Sequence, residues 1–170
     1  MGDSNQRIIE ALVAAIRAEG DGFNFYSMAA GSIKDEKGKE VFFTLAQEEL
    51  SHKHFLEAQL ESFRKNGSVD KSIKLGNPAG LESDSPIFSP QIKNRLKEAH
   101  FEMSALSVGI QLELSAQNFY RKEAKEAKDP DVREFFEKLA EWEALHYHAL
   151  LRQQDELKDD YWTDGGFAPF

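Results

Sequence analysis

The stretch FFTLAQEELSHKHFLEAQLE, Phe42 to Glu61, decides how this chain folds. Its apolar residues Phe42, Leu45, Leu56 and Leu60, with Phe63 just beyond, recur at three- and four-residue steps, the seam of a helix packed against other helices. Two members of that seam do not belong in an apolar core. The spacing runs from Leu45 through Glu49 and His52, and an uncompensated carboxylate on a buried face costs several kcal/mol or more. Something must compensate them.

Outward from this stretch the chain reads as four long helices and one long break. Ser4 caps a predicted first helix that reaches to about Ile33, with Ile9, Leu12, Ile16, Phe23, Tyr26 and Ala30 on one face and Glu19 among them. KDEKG turns the chain into a second helix of roughly residues 36–65, closed by Asn66 and Gly67. Residues 68–89 hold Gly, Ser and Pro without a sustained period, which predicts a crossover loop with room for one short helical turn. Pro90 opens a third predicted helix to about Ala127, its seam formed by Met103, Leu106, Ile110, Glu113, Gln117, Tyr120 and Ala124. Asp129 and Pro130 supply the cap and first-turn proline of a fourth, which reaches to about Leu157. The expectation is an all-α four-helix bundle over residues 1–158, two helical hairpins joined by a long crossover. The last stretch, DDYWTDGGFAPF (159–170), is expected as an extended aromatic tail that folds back on the bundle or reaches a second subunit.

Composition narrows the function classes. A formal net charge of -9, from 30 acidic against 21 basic residues, argues against a nucleic-acid or anionic-membrane partner and leaves cations open as ligands. With no cysteine, disulfides, thiolate zinc sites, rubredoxin-type iron and thiol nucleophiles are excluded within the chain. The first twenty residues break their apolar pattern at Glu10 and Arg17, so they read as an amphipathic helix and not a signal peptide. No run approaches the roughly 20 apolar residues of a membrane span. The expected location is cytoplasmic.

The sequence also repeats. Shifted by 94 residues, the separation of Glu49 from Glu143, the segment 19–54 lies over 113–148 without a gap. Glu19 matches Glu113, the Asn-Phe-Tyr triplets ending at Tyr26 and Tyr120 coincide, and Phe42 and Leu45 match Phe136 and Leu139. Glu49 and His52 match Glu143 and His146, so the misplaced pair occurs twice. A duplicated hairpin explains the repeated core residues, because each half needs the other to bury its apolar face. It does not explain a Glu-x-x-His kept in each core.

Spacing supplies the chemistry. Residues three apart share a helix face, so Glu49 with His52 and Glu143 with His146 can address one point inside the bundle. With Glu19 and Glu113 they make four carboxylates and two imidazoles, a formal charge of about -4 that two divalent cations would balance. Without cations the converging carboxylates repel one another and take up protons. Oxygen and imidazole donors suit iron or manganese better than a sulfur-seeking metal.

In these motifs, a helix-one Glu followed seven residues later by Tyr, a helix-two Glu-x-x-His, and both again, the chain resembles the rubrerythrin branch of the ferritin-like di-iron carboxylate superfamily. The resemblance covers the chain to about residue 158. It implies a ferritin-like bundle with two iron ions, replaceable by manganese or zinc, and redox chemistry of hydrogen peroxide or dioxygen. It further implies Glu19 and Glu113 as bridging or terminal carboxylates, with Glu49–His52 and Glu143–His146 each holding one metal. Ferroxidase or iron-handling activity on Fe(II), and a non-catalytic metal-binding bundle that docks a partner, are the alternatives. Proteins of this kind are usually dimers or larger, and since this chain has no cysteine an electron donor protein would be a separate molecule. Rubrerythrins also tend to carry an extra glutamate one turn past the helix-three ligand, where this chain has Ala116; the matching first-half residue is Gly22. Both are expected to leave space for oxygen, peroxide or a solvent ligand. Tyr26 and Tyr120 are placed to hydrogen-bond the ligand carboxylates or pass electrons. His54, His100 and His148 fall off the seam and are read as surface or structural residues.

Overall fold

The computed structural model describes residues 3–76 and 85–164. Among these every regular element is helical: α1 (Asp3–Ser32), α2 (Glu36–Asn66), a 3-10 segment (Pro90–Glu98), α3 (His100–Glu126) and α4 (Pro130–Asp164). α1 packs along α2 and α3 along α4, so two helical hairpins form the bundle and the crossover enters the second through the 3-10 segment. No helix among the described residues is long and apolar enough to cross a membrane.

The helix ends follow from single residues. The Asp35 carboxylate caps α2 by accepting the Gly38 N–H at 2.9 Å, and it also accepts the Ser89 N–H at 3.0 Å and the Ser89 hydroxyl. One buried side chain therefore starts a helix and ties down the end of the crossover. At the other end Gly67 takes a left-handed φ of 70° and closes α2 through its N–H on the Phe63 carbonyl. Among the described residues the Asp129 carboxylate, which matches Asp35 in the repeat, receives only the Asp131 N–H, at 2.8 Å.

Two further residues related by the repeat pin the crossover, a role the sequence did not suggest. Gln59 exchanges two hydrogen bonds of 2.9 Å with the Asp70 backbone. Gln153 accepts the N–H groups of Ile87 and Phe88 at 2.7 and 3.1 Å. Buried amides suit this, because a loop crossing an apolar bundle must find partners for its own backbone.

The core divides into two apolar clusters. One gathers Tyr26, Phe42, Leu45, Leu106, Ile110 and Leu150; the other gathers Leu12, Leu56, Phe63, Tyr120, Phe136 and Leu139. Residues matched by the repeat, such as Leu45 and Leu139, fall in opposite clusters, so the hairpins are related head to tail.

Two expected boundaries are corrected. The third helix does not begin at Pro90: residues 90–98 wind as a 3-10 segment with Arg95 off helical values (φ -133°, ψ 27°), and α3 starts at His100. The kink lets Ile92 and Leu96 reach the core while Arg95 meets the buried Glu102 at 3.3 Å. The tail is not extended from residue 159, because α4 continues to Asp164. Nothing between Asp159 and Asp164 breaks a helix, and Gly165 and Gly166 come only afterwards. Phe167 and Phe170 lie outside the described residues.

Asp35→Ala should cost about 2 kcal/mol or more, since it removes a cap and leaves the Ser89 backbone unpaired, whereas Asp129→Ala should cost about 1 kcal/mol or less. Chemical denaturation of both variants measures this, and equal losses would contradict the double role of Asp35.

Candidate metal centre

Between the two apolar clusters lies a polar layer. α1 contributes Glu19, α2 Glu49 and His52, α3 Glu113, and α4 Glu143 and His146, and none of the six is more than 5% exposed. All six residues singled out in the sequence are brought together. His54, His100 and His148 are exposed on the bundle surface.

Both histidines turn Nδ1 inward. His52 Nδ1 lies 3.3 Å from Glu19 Oε2 and 3.1 Å from Glu143 Oε1. His146 Nδ1 lies 3.5 Å from Glu113 Oε2, 3.6 Å from Glu49 Oε1 and 3.7 Å from Glu143 Oε2. The imidazoles stand nearly parallel, 6.0 Å apart. Donor atoms of Glu49, Glu113, Glu143 and His146 come within 4.8 Å of one another, and so do those of Glu19, Glu49 and His52. Glu49 belongs to both groups and Glu143 approaches both histidines. The central carboxylates are therefore Glu49 and Glu143, while Glu19 and Glu113 each face one histidine from the side.

The tyrosines reach across the repeat. Tyr26 donates its hydroxyl to Glu113 and Tyr120 donates to Glu19, so each hairpin orients a glutamate of the other. Burial first, then the neighbouring carboxylates, raise both phenol pKa values well above the usual 10.0, which keeps the hydroxyls protonated as donors. Gly109 gives Tyr26 its path, since a Cβ there would stand 3.2 Å from the hydroxyl.

Gly22 does something similar for Glu49. A Cβ at Gly22 would lie 2.5 Å from Glu49 Oε2, so the carboxylate occupies room that only glycine leaves. Gly22 and Ala116 also line a cavity of about 300 Å³ between α1 and α3, walled by Ala14, Ala18 and Phe119 and reaching Glu19, Glu49 and Glu113. It lies where the small residues were expected to leave space.

Sequence reasoning passed over Glu48 and Trp142. Glu48 is buried and accepts a hydrogen bond from His146 Nε2 at 2.5 Å, while the Trp142 ring meets His52 edge-on at 5.0 Å. The two occupy matching positions of the repeat but differ in type, so the comparison of halves that exposed the other residues hid these.

The charges balance poorly without cations. Burial, then repulsion from Glu113 and Glu19, pushes Glu49 well above the usual carboxylate range. Glu113 rises to about 7, burial outweighing the attraction of His146. Glu143 is held below the usual range because the attraction of His52, with hydrogen bonds, overcomes its burial. Both histidines are raised, since the surrounding carboxylates overcome a burial that alone would lower them. Meanwhile Glu49 Oε1, both Glu143 oxygens and His146 Nδ1 are buried without a well-aligned hydrogen-bond partner. Buried polar atoms rarely stay unpaired, and here they converge on one region with the donor types of a metal site. The residues fit a pair of divalent cations.

A family model for rubrerythrin matches residues 10–106 and 104–164. The chain belongs to the rubrerythrin family. Its members typically bind iron, and the buried carboxylate–imidazole layer fits that property. Neither the curated proteins nor the solved structures compared with the chain give a match.

Protons stand in for metal in the metal-free protein. Glu113 keeps its proton to about 7 when folded against 4.5 for the free side chain, and Glu49 and both histidines shift in the same direction. The folded state thus binds more protons than the unfolded chain, and stability should fall as pH rises from about 4.5 through about 7. Glu143 shifts oppositely, and its contribution is lost only on acidification below that window. Metal displaces the protons, so the loaded protein should show the reverse trend. Thermal melts of both forms across the window test this, and a metal-free protein that gains stability toward pH 7 would contradict the electrostatics.

Proposed function

We propose that Glu19, Glu49, His52, Glu113, Glu143 and His146 hold two iron ions and that the protein carries out redox chemistry of hydrogen peroxide or dioxygen there, as a rubrerythrin-like peroxidase. The observation that carries this reading is the cavity at Gly22 and Ala116, which opens three of the four carboxylates to a small molecule along a wall of mostly apolar side chains. Bound iron would supply the electrons for cleaving an O–O bond. The protein's own residues do the rest. Tyr26 and Tyr120 fix the outer carboxylates, Glu49 and Glu143, which lie between the two histidines, would help hold both ions, and the apolar clusters on either side keep bulk water out. Returning iron to the ferrous state needs electrons from outside the bundle, and an external electron donor protein is part of this reading, since these 170 residues hold no cysteine for a rubredoxin-type centre. A dimer or larger assembly is part of the same reading.

One feature favours a second reading. Exposed Asp21 joins Glu19 and Glu49 on the cavity lining, an acidic approach that would draw Fe(II) inward as substrate. Stopped-flow oxidation of the anaerobic diferrous protein separates the readings. The peroxidase reading expects fast oxidation by peroxide, two iron ions per chain at saturation, and recovery with an external reductant. Iron turnover well beyond that stoichiometry would replace it with ferroxidase activity, and inertness to both oxidants would leave a non-catalytic metal-binding bundle.

A further inference from the structure

The two halves of the repeat treat their histidines differently. His146 points Nδ1 at the carboxylates and Nε2 away from them, where its N–H donates to Glu48 Oε2 at 2.5 Å in a fully buried contact between α4 and α2. The matching position in the other half is Trp142. His52 therefore meets the indole ring, centroids 5.0 Å apart and planes at 87°, and its Nε2 is buried with no hydrogen-bond partner among the described residues. The carboxylates do not make this difference, since Glu49, Glu113 and Glu143 surround His146 while Glu19, Glu49 and Glu143, whose Oε1 lies 3.1 Å from His52 Nδ1, surround His52; it lies in what meets the outer nitrogen of each ring.

A carboxylate that accepts the outer N–H of a ligating imidazole fixes its tautomer, holds the ring in place and strengthens its donation to the metal. An indole ring, which carries no acceptor oxygen, does none of these. We propose that Glu48 is a positioning residue that makes the His146 position the tighter of the two metal positions, and that the His52 position, where Trp142 stands in place of a carboxylate, is the weaker and exchangeable one. This rests on the two-metal reading above. It follows that metal fills the His146 position first and leaves the His52 position first. The cavity reaches Glu19 and Glu49 at the weaker position and Glu113 at the tighter one, so it gives an exchanging ion a path into the layer.

Anaerobic titration of the metal-free protein with cobalt(II) tests the proposal. The wild-type protein should bind in two steps of unequal affinity. Glu48→Gln keeps the size of the side chain and an oxygen acceptor but loses the charge, and it should weaken the tighter step by roughly 10- to 100-fold while moving the weaker step less. Trp142→Phe should leave the tighter step in place. Proton spectra of the cobalt-loaded protein supply a readout that a merely structural role would not move. The wild type should show one paramagnetically shifted imidazole N–H protected from solvent exchange by Glu48, and Glu48→Gln should lose that protection. Two equal steps in the wild type, or a Glu48→Gln titration and spectrum that superimpose on the wild type, would overturn the proposal while leaving the metal centre standing. Uptake of fewer than two cobalt ions by the wild type would overturn the two-metal reading and the proposal with it.

Discussion

Four carboxylates at one level of a helical bundle cannot all remain charged without cations among them. Each buried charge costs several kcal/mol, and their mutual repulsion grows as the surrounding dielectric falls. The layer of Glu19, Glu49, Glu113 and Glu143 divides the apolar core in two, so whatever neutralises it also determines whether the halves of the core can close on each other. Protons do this partially, as the raised affinity of Glu49 and Glu113 shows. Two divalent metals would do it fully. The rest of the bundle holds four helices in the register that this layer demands.

That register is enforced from both hairpins at once. Because Tyr26 serves Glu113 and Tyr120 serves Glu19, neither half of the duplication contains a finished site. The head-to-tail relation of the hairpins makes the crossing unavoidable: the tyrosine two turns beyond a glutamate on one helix arrives level with the opposite glutamate on its antiparallel counterpart. Close approaches at Gly22 and Gly109 belong to the same arrangement, one giving room to Glu49 and the other to Tyr26. Duplication builds the scaffold, and departures from it, Glu48 against Trp142, make the two sides chemically distinct.

Much of this was legible before any coordinates. Helix boundaries at Asp35, Gly67 and Asp129–Pro130 could be read because capping is local chemistry, settled within a few residues. All six residues of the polar layer were legible because a polar group on an apolar seam is conspicuous and here appears twice. What stayed hidden depends on distance. Residues 90–98 wind as a 3-10 segment in which Arg95 reaches Glu102, and Gln59 and Gln153 hold the two ends of the crossover. None of these contacts has a periodic signature. Glu48 was masked by its neighbour Glu49, since an acidic residue beside a seam position ordinarily faces solvent. The continuation of α4 to Asp164 went against a reading that gave the aromatic and glycine content of the tail more weight than the helix-compatible residues at its start.

The proposed pair of iron ions, held by these six side chains, can be seen directly. Anomalous X-ray diffraction from crystals of protein purified with its native metal, collected on both sides of the iron absorption edge, would reveal it. Two anomalous peaks should appear inside the polar layer, with Glu49 and Glu143 between them and one histidine beside each. No peak there, or a single peak ligated by residues of only one hairpin, would contradict the two-iron reading.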